Sequence, residues 1–514
     1  MLTAILRSAA QINPDGLGTL SATGGRSWRK FQEDVIGLAG LLKAHGVAAG
    51  DVVALLGEVT EHSLDAYFAA PWCGAILAPL NFRWSVEELD RVLEEMECRV
   101  VLVTSAFAEL SSKLGRNAKN PPTILYLDDA SDRNRSTDAN VPLDGYPASW
   151  DTPLLILYTS GSTAFPKGAV LTHGNMWSNM LSTAASDEWH RDSRFLHVSP
   201  LFHSNGAMFV YLITLLRSTH VLIPRFEANA VIDALSDTNA TGISVDRVML
   251  SMMMAAPRLA HADISRLSNV IYGGAPMTLP IYEWLMSSLS DPRLSGGYGL
   301  TEATFGSTIL PPALHRTRDV SALSTAGHVL DGVEMKIVDD AGIRVPPNES
   351  GHIRIRGPHI MKGYFRQPEA TAKAIDADGW LATGDLGSFD DRGLLTVVGR
   401  AKDMIKTGGE NVAAAEVERV LYSHPAVTQC AVVGLPNPVW GEAVHAIVYA
   451  KPGEALDAKA LEVLCRQHLA GYKVPKTIEI SSNALPVTES GKVDKVRIRK
   501  NYQDEAPMAA SASR

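Results

Sequence analysis

Cysteine is scarce in this sequence of 514 residues, and long apolar runs are absent. The four cysteines, Cys73, Cys98, Cys430 and Cys465, are far apart and include no C-x-x-C pair. They therefore predict neither a disulfide framework nor a zinc site. No apolar stretch approaches the roughly 20 residues of a membrane span, and residues 1–7 lack the charged start of a signal peptide. We expect a cytoplasmic protein without a membrane span.

An excess of positive charge is missing as well. Lys and Arg number 47 against 56 Asp and Glu, which gives a net charge of −9. Without a basic face to offset phosphate contacts, nucleic acid is not expected as a partner. The apolar content of 46% and the charged content of 20% are those of an ordinary globular protein. A chain of this length is too long to fold around a single hydrophobic core, so we expect two or more domains.

Up to about residue 385, short apolar runs alternate with segments of helical period. Residues 52–56, for example, precede a helical pattern over residues 63–72. This alternation predicts layered α/β subdomains with largely parallel sheets. Residues 351–356 and 393–398 lie between Asp/Gly turns and indicate a small antiparallel or barrel-like part.

After Arg400 a smaller α+β module is predicted. Its helix, two strands and second helix are predicted over residues 416–423, 427–433, 443–450 and 461–468. Residues 501–514 are small and polar without periodicity, so we expect a disordered tail there.

The most informative segment is residues 158–168, Tyr-Thr-Ser-Gly-Ser-Thr-Ala-Phe-Pro-Lys-Gly, which follows an apolar run typical of a buried strand. Backbone N–H groups, hydroxyls and the cation of Lys167 suit the oxygens of a polyphosphate. The segment is not the usual P-loop, because Lys167 follows a proline and precedes a glycine. Alone, it could equally be a polar surface turn.

Six further segments place glycine or polar groups in turns, and each alone could be a simple turn or cap. They are residues 272–277, 296–302, 383–385, 399–400, 406–411 and 489–492. In this order, the seven segments resemble the adenylate-forming superfamily of acyl-CoA synthetases, aryl-CoA ligases, peptide-synthetase adenylation domains and luciferases. The resemblance extends from about Trp28 to Arg499.

This resemblance implies a reaction in two steps. A carboxylate attacks the α-phosphorus of ATP, which gives acyl-AMP and pyrophosphate, and a thiol then displaces AMP. It also implies an N-terminal adenylate-forming domain over residues 1–400, a hinge at residues 401–402 and a mobile C-terminal domain over residues 403–500. Lys402 would lie at this hinge, where the small domain rotates between the two steps.

The resemblance further implies which residues bind ATP. The β- and γ-phosphates would be bound by Lys167 and by Thr159, Ser160, Gly161, Ser162 and Thr163. The adenine would lie against Gly274, Ala275, Pro276, Tyr298 and Gly299, with Tyr298 stacked on it.

The remaining residues of the first step are charged or hydroxylic. Thr301 would contact the α-phosphate, and Glu302 would help to hold Mg²⁺. Asp385 would accept both ribose hydroxyls, with Arg400 nearby. Lys492 would bridge the substrate carboxylate and the α-phosphate.

The second step would use another face of the small domain, where Gly408 and Gly409 would leave room for the pantetheine arm of CoA. Arg83 would bind a CoA phosphate, Trp440 would stack on the CoA adenine, and Lys473 would add positive charge nearby. By itself, Trp440 could as well be a partly buried core aromatic. We expect a stand-alone ligase, because no carrier-protein segment follows.

The predicted acyl pocket contains His203, which would gate the carboxylate site, with Ser204, Asn205 and Gly273. Asp246 and Arg247 stand where the family usually has a Val-Pro-Thr-like tripeptide. Either Asp246 caps the helix that follows and pairs with Arg247 at the surface, or one of the two contacts a polar group of the substrate.

Three alanines also depart from the family pattern. Ala164 replaces a glycine of the phosphate segment, and Ala413 and Ala414 replace an aromatic–proline pair in the part that shapes the thioester-forming face. The last two departures concern the transfer of the acyl group, so acceptors other than CoA stay open.

We expect an ATP- and Mg²⁺-dependent carboxylate–CoA ligase for a medium-sized or aromatic acid, as a monomer or homodimer. Two alternatives stay open. The acyl-AMP could pass to a carrier protein, an amine or another nucleophile. A catalytically silent nucleotide-binding protein is disfavoured, because the charged residues of the motifs are all present: Lys167, Glu302, Asp385, Arg400 and Lys492.

Overall fold

The computed structural model describes residues 1–116, 120–129, 142–159, 166–186, 189, 193–450, 453–488 and 493–502. The chain divides into two units. The first unit consists of Met1–Met335, Ile355–Leu381 and Gly393–Leu395. The second consists of Lys336–Arg354, Ala382–Arg392 and the chain from Thr396 onward. Of the helices that the structure describes, none has both the length and the apolar character to cross a bilayer.

The strands are numbered in chain order. They are β1 (Leu17–Ser21), β2 (Gly24–Ser27), β3 (Val52–Leu56), β4 (Ile76–Pro79), β5 (Val100–Val103), β6 (Thr123–Tyr126), β7 (Pro153–Thr159), β8 (Lys167–Thr172), β9 (Arg194–His197), β10 (Thr219–Leu222), β11 (Gly242–Asp246), β12 (Asn269–Gly273), β13 (Arg293–Gly297), β14 (Thr308–Ile309), β15 (His328–Val329), β16 (Glu334–Val338), β17 (Gly351–Arg356), β18 (Gly363–Tyr364), β19 (Leu381–Phe389), β20 (Leu395–Arg400), β21 (Met404–Thr407), β22 (Glu410–Ala413), β23 (Val427–Asn437), β24 (Gly441–Ala450) and β25 (Thr477–Ser481).

The α-helices follow in the same order. They are α1 (Thr3–Ile12), α2 (Trp28–Ala44), α3 (Glu61–Trp72), α4 (Val86–Glu95), α5 (Ala108–Ser111), α6 (His173–Ser186), α7 (Ser204–Leu216), α8 (Ala228–Thr238), α9 (Arg247–Met254), α10 (Leu279–Ser288), α11 (Pro312–Arg316), α12 (Val320–Leu323), α13 (Pro368–Ala374), α14 (Ala414–Tyr422) and α15 (Ala458–His468).

One sheet of the first unit has the strand order β13-β12-β11-β9-β10-β1-β2. Its neighbouring strands run parallel except for β1 and β2. Helices α8, α9 and α10 connect successive strands of this sheet, as an alternating β/α pattern requires. Because β11, β12 and β13 run parallel, their carboxyl ends lie along one edge, which is where open α/β sheets bind ligands.

A second sheet of this unit has the order β18-β8-β7-β4-β3-β5-β6. Every residue of β3 and β5 is buried, which explains why both read as continuous apolar runs rather than as alternating patterns. Strands β7 and β8 form an antiparallel pair, and the short strand β18 adds antiparallel to β8. The ends of β7 and β8 therefore enclose the phosphate segment.

Several helices of the first unit begin at residues that the sequence marks as caps. The side chain of Ser27 accepts a hydrogen bond from the N–H of Lys30 at the start of α2. Helix α4 begins with a capping box, in which Ser85 and Glu88 each accept the other's backbone N–H. These bonds satisfy N–H groups that a helix cannot satisfy itself.

The second unit contains two sheets. One has the order β16-β17-β19-β20, and the other has the order β22-β21-β24-β23 with β25 beside β24. Helix α14 packs against β23, and α15 packs against α14 and β25. Their apolar faces form one buried cluster with the sheet, which includes Val417, Leu421 and Leu461.

The predicted fold class is confirmed: layered α/β sheets with a large N-terminal part and a small C-terminal domain. After β5 the chain forms a 3-10 turn at Ser105–Phe107 and the short helix α5. The hydroxyls of Ser111 and Ser112 donate to backbone carbonyls three residues before them, in competition with helical bonding. Of the predicted tail, residues 503–514 lie outside the described residues.

Candidate active site

Two glycine-rich segments meet at the carboxyl edge of the first sheet. Strands β12 and β13 are parallel neighbours, with Tyr272 paired to Gly296 and Gly273 paired to Gly297. The segments that follow each strand therefore leave the sheet side by side. This placement brings together Gly274 and Tyr298, which the motifs assigned to the adenine.

Close packing explains why one of these positions requires glycine, and backbone conformation explains why another favours it. A Cβ on Gly296 would lie 2.4 Å from Cζ of Tyr272, so the tyrosine ring lies directly on the glycine backbone. Gly274 has a φ of +78°, in the left-handed region that favours glycine. Ala275 and Pro276 follow it in the same turn.

A cavity of about 140 Å³ opens between the glycine-rich segments. The described residues that line it are Thr183, Ser204, Ile271, Tyr272, Gly273, Gly274, Ser295, Gly296, Gly297, Tyr298, Gly299, Phe305, Gly306, Thr308, Ile309 and Leu330. Of the six residues predicted for the acyl pocket, Ser204 and Gly273 are among them. The other four lie beyond the described lining: His203, Asn205, Asp246 and Arg247.

Asn205 joins the start of α7 to two neighbouring segments. Its side-chain N–H donates to the hydroxyl of Ser199 at 3.0 Å, and its carbonyl oxygen accepts from the hydroxyl of Ser244 at 2.8 Å. His203 directly precedes α7, and its ring centroid lies 4.4 Å from that of Phe202. Asn205 thus orients this helix start, next to Ser204 in the cavity wall.

Asp246 caps α9, as the first part of one predicted alternative states; its surface pair with Arg247 stays a prediction. Its Oδ1 accepts a hydrogen bond from the N–H of Met249 at 2.8 Å. Asp246 also pairs in register with Gly273 at the end of β12. Its position is therefore close to the pocket edge, but the hydrogen bond that its side chain accepts has a structural role.

Thr301 and Glu302 lie in a 3-10 turn, Thr301–Ala303, that ends in a strained residue. Thr304 has φ +65° and ψ −58°, and the N–H of Phe305 donates to the carbonyl of Ala303 at 2.7 Å. These values describe a γ-turn, which is rare for a β-branched residue. The turn reverses the chain immediately after Glu302.

Buried polar contacts hold this turn from the other side. The side chain of Asn179 bonds with both backbone groups of Gly306, as a donor at 2.7 Å and as an acceptor at 3.3 Å. The hydroxyl of Ser307 lies 3.3 Å from Nε2 of His359. Burial lowers the pKa of His359 from 6.5 to about 4, so this imidazole is neutral near pH 7.

Glu302 and Lys167 contact different parts of one side chain, the hydroxyl and the ring of Tyr364. The hydroxyl of Tyr364 donates to Oε1 of Glu302 at 2.9 Å. Nζ of Lys167 lies 5.1 Å from the centroid of the same ring. Two charged residues from distant motifs therefore meet in one place, which supports a common phosphate and metal site.

The loop predicted to bind the phosphates and the loop that carries Lys492 are described only at their flanks. Ser160, Gly161, Ser162, Thr163 and Lys492 lie outside the described residues, as does Ala164. On either side of the first loop, Thr159 and Lys167 are paired in register. Val487 and Val493 form an antiparallel bridge on either side of the second.

The predicted ribose residues contact each other within the second unit. Nε of Arg400 lies 2.9 Å from Oδ1 of Asp385, which is buried. Nη1 of Arg400 also donates to the carbonyl of Thr383 at 3.1 Å. The guanidinium therefore orients the carboxylate. Lys402 follows as an exposed residue in a 3-10 turn, Ala401–Asp403.

Gly408 and Trp440, both predicted to bind CoA, lie together within the small domain, with Lys476 beside them. The N–H of Gly408 donates to the carbonyl of Trp440 at 2.8 Å, and a Cβ on Gly408 would lie 2.8 Å from the indole. Nζ of Lys476 lies 4.9 Å from the Trp440 ring centroid. Gly409 has open space around its α-carbon. Trp440 is half exposed, so it is not a core residue of the small domain.

Lys473 and Arg83 have other contacts. Nζ of Lys473 lies 2.8 Å from Oε1 of Glu416, so its charge is largely neutralised. Arg83 belongs to the first unit, and its guanidinium lies 5.9 Å from the ring centroid of Phe82. The structure therefore gives Lys473 an ion-pairing role that the sequence did not predict.

The residues present fit a magnesium ion that arrives with a nucleotide. Mg²⁺ prefers oxygen ligands and is commonly bound by one or two carboxylates together with substrate phosphates. Glu302 supplies such a carboxylate near Lys167. Across the described ranges, no three His, Cys, Asp or Glu side chains form a cluster that could hold a metal alone.

Tyr364 and His359 are the functional candidates that sequence reasoning missed. Tyr364 lies in a strand of two residues, which is too short to produce a periodic pattern. His359 lies 55 residues from Thr304 in the sequence, and its backbone carbonyl accepts a hydrogen bond from the Thr304 hydroxyl. The glycine before Tyr364 was the only local signal.

Comparison with known proteins identifies the family. The model of the AMP-binding enzymes matches residues 7–365, and that of the AMP-binding enzyme C-terminal domain matches residues 416–492. The chain belongs to the AMP-binding enzymes, the adenylate-forming superfamily that the order of motifs predicted.

Individual relatives cover nearly the whole chain. A feruloyl-CoA synthase of Amycolatopsis sp. is 37% identical over 96% of this chain and 97% of that protein. The fatty acid–[acyl-carrier-protein] ligase ScoC of Streptomyces coeruleorubidus is 33% identical, over 90% and 89%. The structure of o-succinylbenzoate CoA synthetase from Bacillus subtilis with ATP and magnesium has a TM-score of 0.83 and 28% identity, over 95% and 98%.

Proposed function

We propose that this protein is an AMP-forming carboxylate–CoA ligase that activates an aromatic or medium-sized acid. One observation carries the proposal. The cavity of about 140 Å³ is lined by Gly299 and Phe305, which flank the turn that holds Thr301 and Glu302. The acid would occupy the part of this cavity beside Phe305 and Leu330, and the adenine would lie against Gly274 and Tyr298. The carboxylate of the acid would then be close to the residues assigned to the α-phosphate and the metal.

The size and lining of the cavity favour a flat acyl group. An apolar cavity of about 150 Å³ in another protein holds one benzene molecule, so a single ring fits here. Tyr272, Phe305 and Leu330 supply apolar walls, and the glycines allow a ring to approach the backbone. Similarity to a protein named as a feruloyl-CoA synthase agrees with an aromatic acid.

In the first step the protein would mainly position charges. Lys167 and the hydroxyls of its loop would hold the phosphates, and Thr301 would contact the α-phosphate. Asp385, oriented by Arg400, would bind the ribose, and Lys492 would bring the carboxylate to the α-phosphorus. Mg²⁺, when bound, supplies charge neutralisation at the phosphates. Such alignment and neutralisation are what transfer at phosphorus requires.

In the second step CoA would approach the small domain at Gly408, Gly409 and Trp440. The indole offers a face for the CoA adenine, and Lys476 adds a cation beside it. Arg83 would bind a CoA phosphate. Lys473 contributes less than its charge suggests, because Glu416 is its ion-pair partner.

The two steps can be tested separately by mass spectrometry of the products. The purified protein would receive ATP, Mg²⁺ and a panel of aromatic and aliphatic acids, each with and without CoA. Lys492→Ala should abolish acyl-AMP formation but still transfer the acyl group from added acyl-AMP to CoA. Trp440→Ala should do the reverse, by forming acyl-AMP and weakening thioester formation. An enzyme that releases no pyrophosphate with any acid contradicts the proposal.

A second function has two observations in its favour. ScoC carries the name of a ligase for a carrier protein, and Ala413 and Ala414 change the small domain where α14 begins. The acyl-AMP could therefore pass to a carrier protein, an amine or another nucleophile. Release of AMP and pyrophosphate without any thioester, restored by one of these acceptors, would establish this function instead.

A further inference from the structure

The backbone around Tyr364 is held against the strand that begins at Lys167. In β18, Tyr364 pairs with Ala169 of β8. On either side, the N–H of Phe365 donates to the carbonyl of Gly168 at 2.7 Å, and the N–H of Lys362 donates to that of Val170 at 2.9 Å. The backbone position of Tyr364 is therefore set by the second sheet.

The same segment holds Glu302 twice. The N–H of Met361 donates to the backbone carbonyl of Glu302 at 2.8 Å, and the hydroxyl of Tyr364 donates to its Oε1 at 2.9 Å. A hydrogen bond to a charged acceptor is among the stronger ones in proteins. It directs one carboxylate oxygen and leaves Oε2 to point elsewhere.

The face of the Tyr364 ring contacts the positive charge of Lys167. Nζ of Lys167 lies 5.1 Å from the ring centroid, within the range of a cation–π contact. Among the described residues, no carboxylate lies within ion-pair distance of Lys167. The separation matters, because a direct Lys167–Glu302 pair would occupy both groups.

We propose that Tyr364 is a positioning residue for the phosphate and metal site. Its hydroxyl orients Glu302 toward the metal, its ring seats Lys167 toward the phosphates, and the ring between them prevents their mutual neutralisation. The inference rests on the proposed function only for the identity of the ligand, ATP with Mg²⁺.

Two substitutions separate the two roles of this side chain. Tyr364→Phe keeps the ring for Lys167 and removes the hydroxyl from Glu302. Tyr364→Leu removes both. Tyr502→Phe is a matched control, because the hydroxyl of Tyr502 also donates to a carboxylate, that of Glu479, in the other unit.

The measurement is the affinity for a fluorescent ATP analogue, determined without turnover in EDTA and again in Mg²⁺. Tyr364→Phe should bind the analogue like wild type in EDTA. The factor by which Mg²⁺ raises its affinity should be about tenfold smaller than for wild type, because one hydrogen bond to a charged group is lost. Tyr364→Leu should in addition bind about threefold more weakly in EDTA, as expected for one lost cation–π contact. Tyr502→Phe should match wild type in both conditions.

Three results would overturn this assignment. The first is a Tyr364→Phe variant with the full gain from Mg²⁺. The second is a Tyr364→Leu variant no weaker in EDTA than Tyr364→Phe. The third is an equal loss in both conditions with a lower unfolding temperature, which would mean that Tyr364 only supports the fold.

The outcome is separate from that of the proposed function. A wild-type protein that binds ATP better with Mg²⁺ but forms no acyl-AMP would refute the ligase proposal and leave the role of Tyr364 intact. A wild-type protein that binds no ATP would refute both.

Discussion

The hydroxyl of Thr304 donates a hydrogen bond to the backbone carbonyl of His359 at 2.6 Å, and this contact holds the γ-turn that follows Glu302. Thr304 is fully buried and adopts a φ of +65°, which strains a β-branched residue. Such strain persists only where surrounding contacts enforce it. The bond between Thr304 and His359 is one of those contacts.

Replacing Thr304 by Val should therefore destabilise the protein. The substitution keeps the shape but leaves a buried carbonyl without this donor, which costs about 1–3 kcal/mol. Urea unfolding measures the loss. Thr317→Val is the control, because its hydroxyl also donates to a carbonyl at 2.6 Å but at an exposed site. The control should change stability by less than about 0.5 kcal/mol; equal effects would contradict the role of burial.

Stability should fall as the pH drops below about 6.5. Burial lowers the pKa of His173 to about 3 and those of His315 and His359 to about 4. Between these values and 6.5, the unfolded chain binds protons that the folded chain does not, so lower pH favours unfolding. Each such proton contributes about 1.4 kcal/mol per pH unit.

Urea unfolding between pH 7.5 and 5 would test this dependence. His315→Gln should make it less steep by about one proton. A stability that does not change over this range would show that these histidines are accessible to protons in the folded state.

Two neighbouring glycines of the candidate site should respond differently to alanine. A Cβ on Gly296 would lie 2.4 Å from the Tyr272 ring, and overpacking of this kind costs about 1–3 kcal/mol. A Cβ on Gly273 would meet nothing closer than 3.8 Å and would occupy the cavity. Gly273→Ala should therefore fold normally and turn over aromatic acids at least tenfold less efficiently, relative to small ones.

Thermal unfolding and kcat/KM on a small and an aromatic acid would measure both effects. If Gly273→Ala kept its preference for aromatic acids, the cavity would not be the acyl pocket.

A partly buried ion pair should stabilise the small domain. Nζ of Lys495 lies 2.7 Å from Oε1 of Glu418, which also accepts from the N–H of Val432 at 2.8 Å. Burial raises the pKa of Glu418, although Lys495 opposes the shift. Lys495→Met would leave this carboxylate without its counter-charge and should destabilise the domain by about 1–3 kcal/mol.

Hydrogen exchange of β23 would report the loss locally. Adding Glu418→Gln should recover more than half of it, because the amide keeps an acceptor for Val432 without the charge. Arg466→Met, which breaks the exposed Arg466–Glu462 pair, should cost less than about 0.5 kcal/mol. An unrecovered double variant would indicate that packing of the Lys495 stem, not charge, stabilises the domain.

Much of the secondary structure could be predicted because its pattern is local. Strands at residues 52–56 and 351–356 were predicted with the bounds that the structure has. Both are read from apolar runs or alternation within a few residues. The order of strands in each sheet could not be predicted, because it depends on pairings between distant parts of the chain.

The same distinction applies to the candidate site. Lys167, Glu302, Asp385 and Arg400 lie in segments whose composition is unusual by itself. Tyr364 has no such signal, and neither does the ion pair that neutralises Lys473. Their contacts involve partners 62 and 57 positions away in the sequence.

The sequence alone determined the kinds of chemical groups, their order and the family, because these depend on residues that are neighbours in the chain. Only the tertiary structure decided that Lys167 and Glu302 share one tyrosine, that Asp246 is used as a helix cap, and that the glycine-rich segments enclose a cavity. Closing the long loops behind such contacts costs chain entropy, and the burial of the whole core offsets that cost. A motif of a few residues cannot predict these contacts, because that free-energy balance depends on the whole fold.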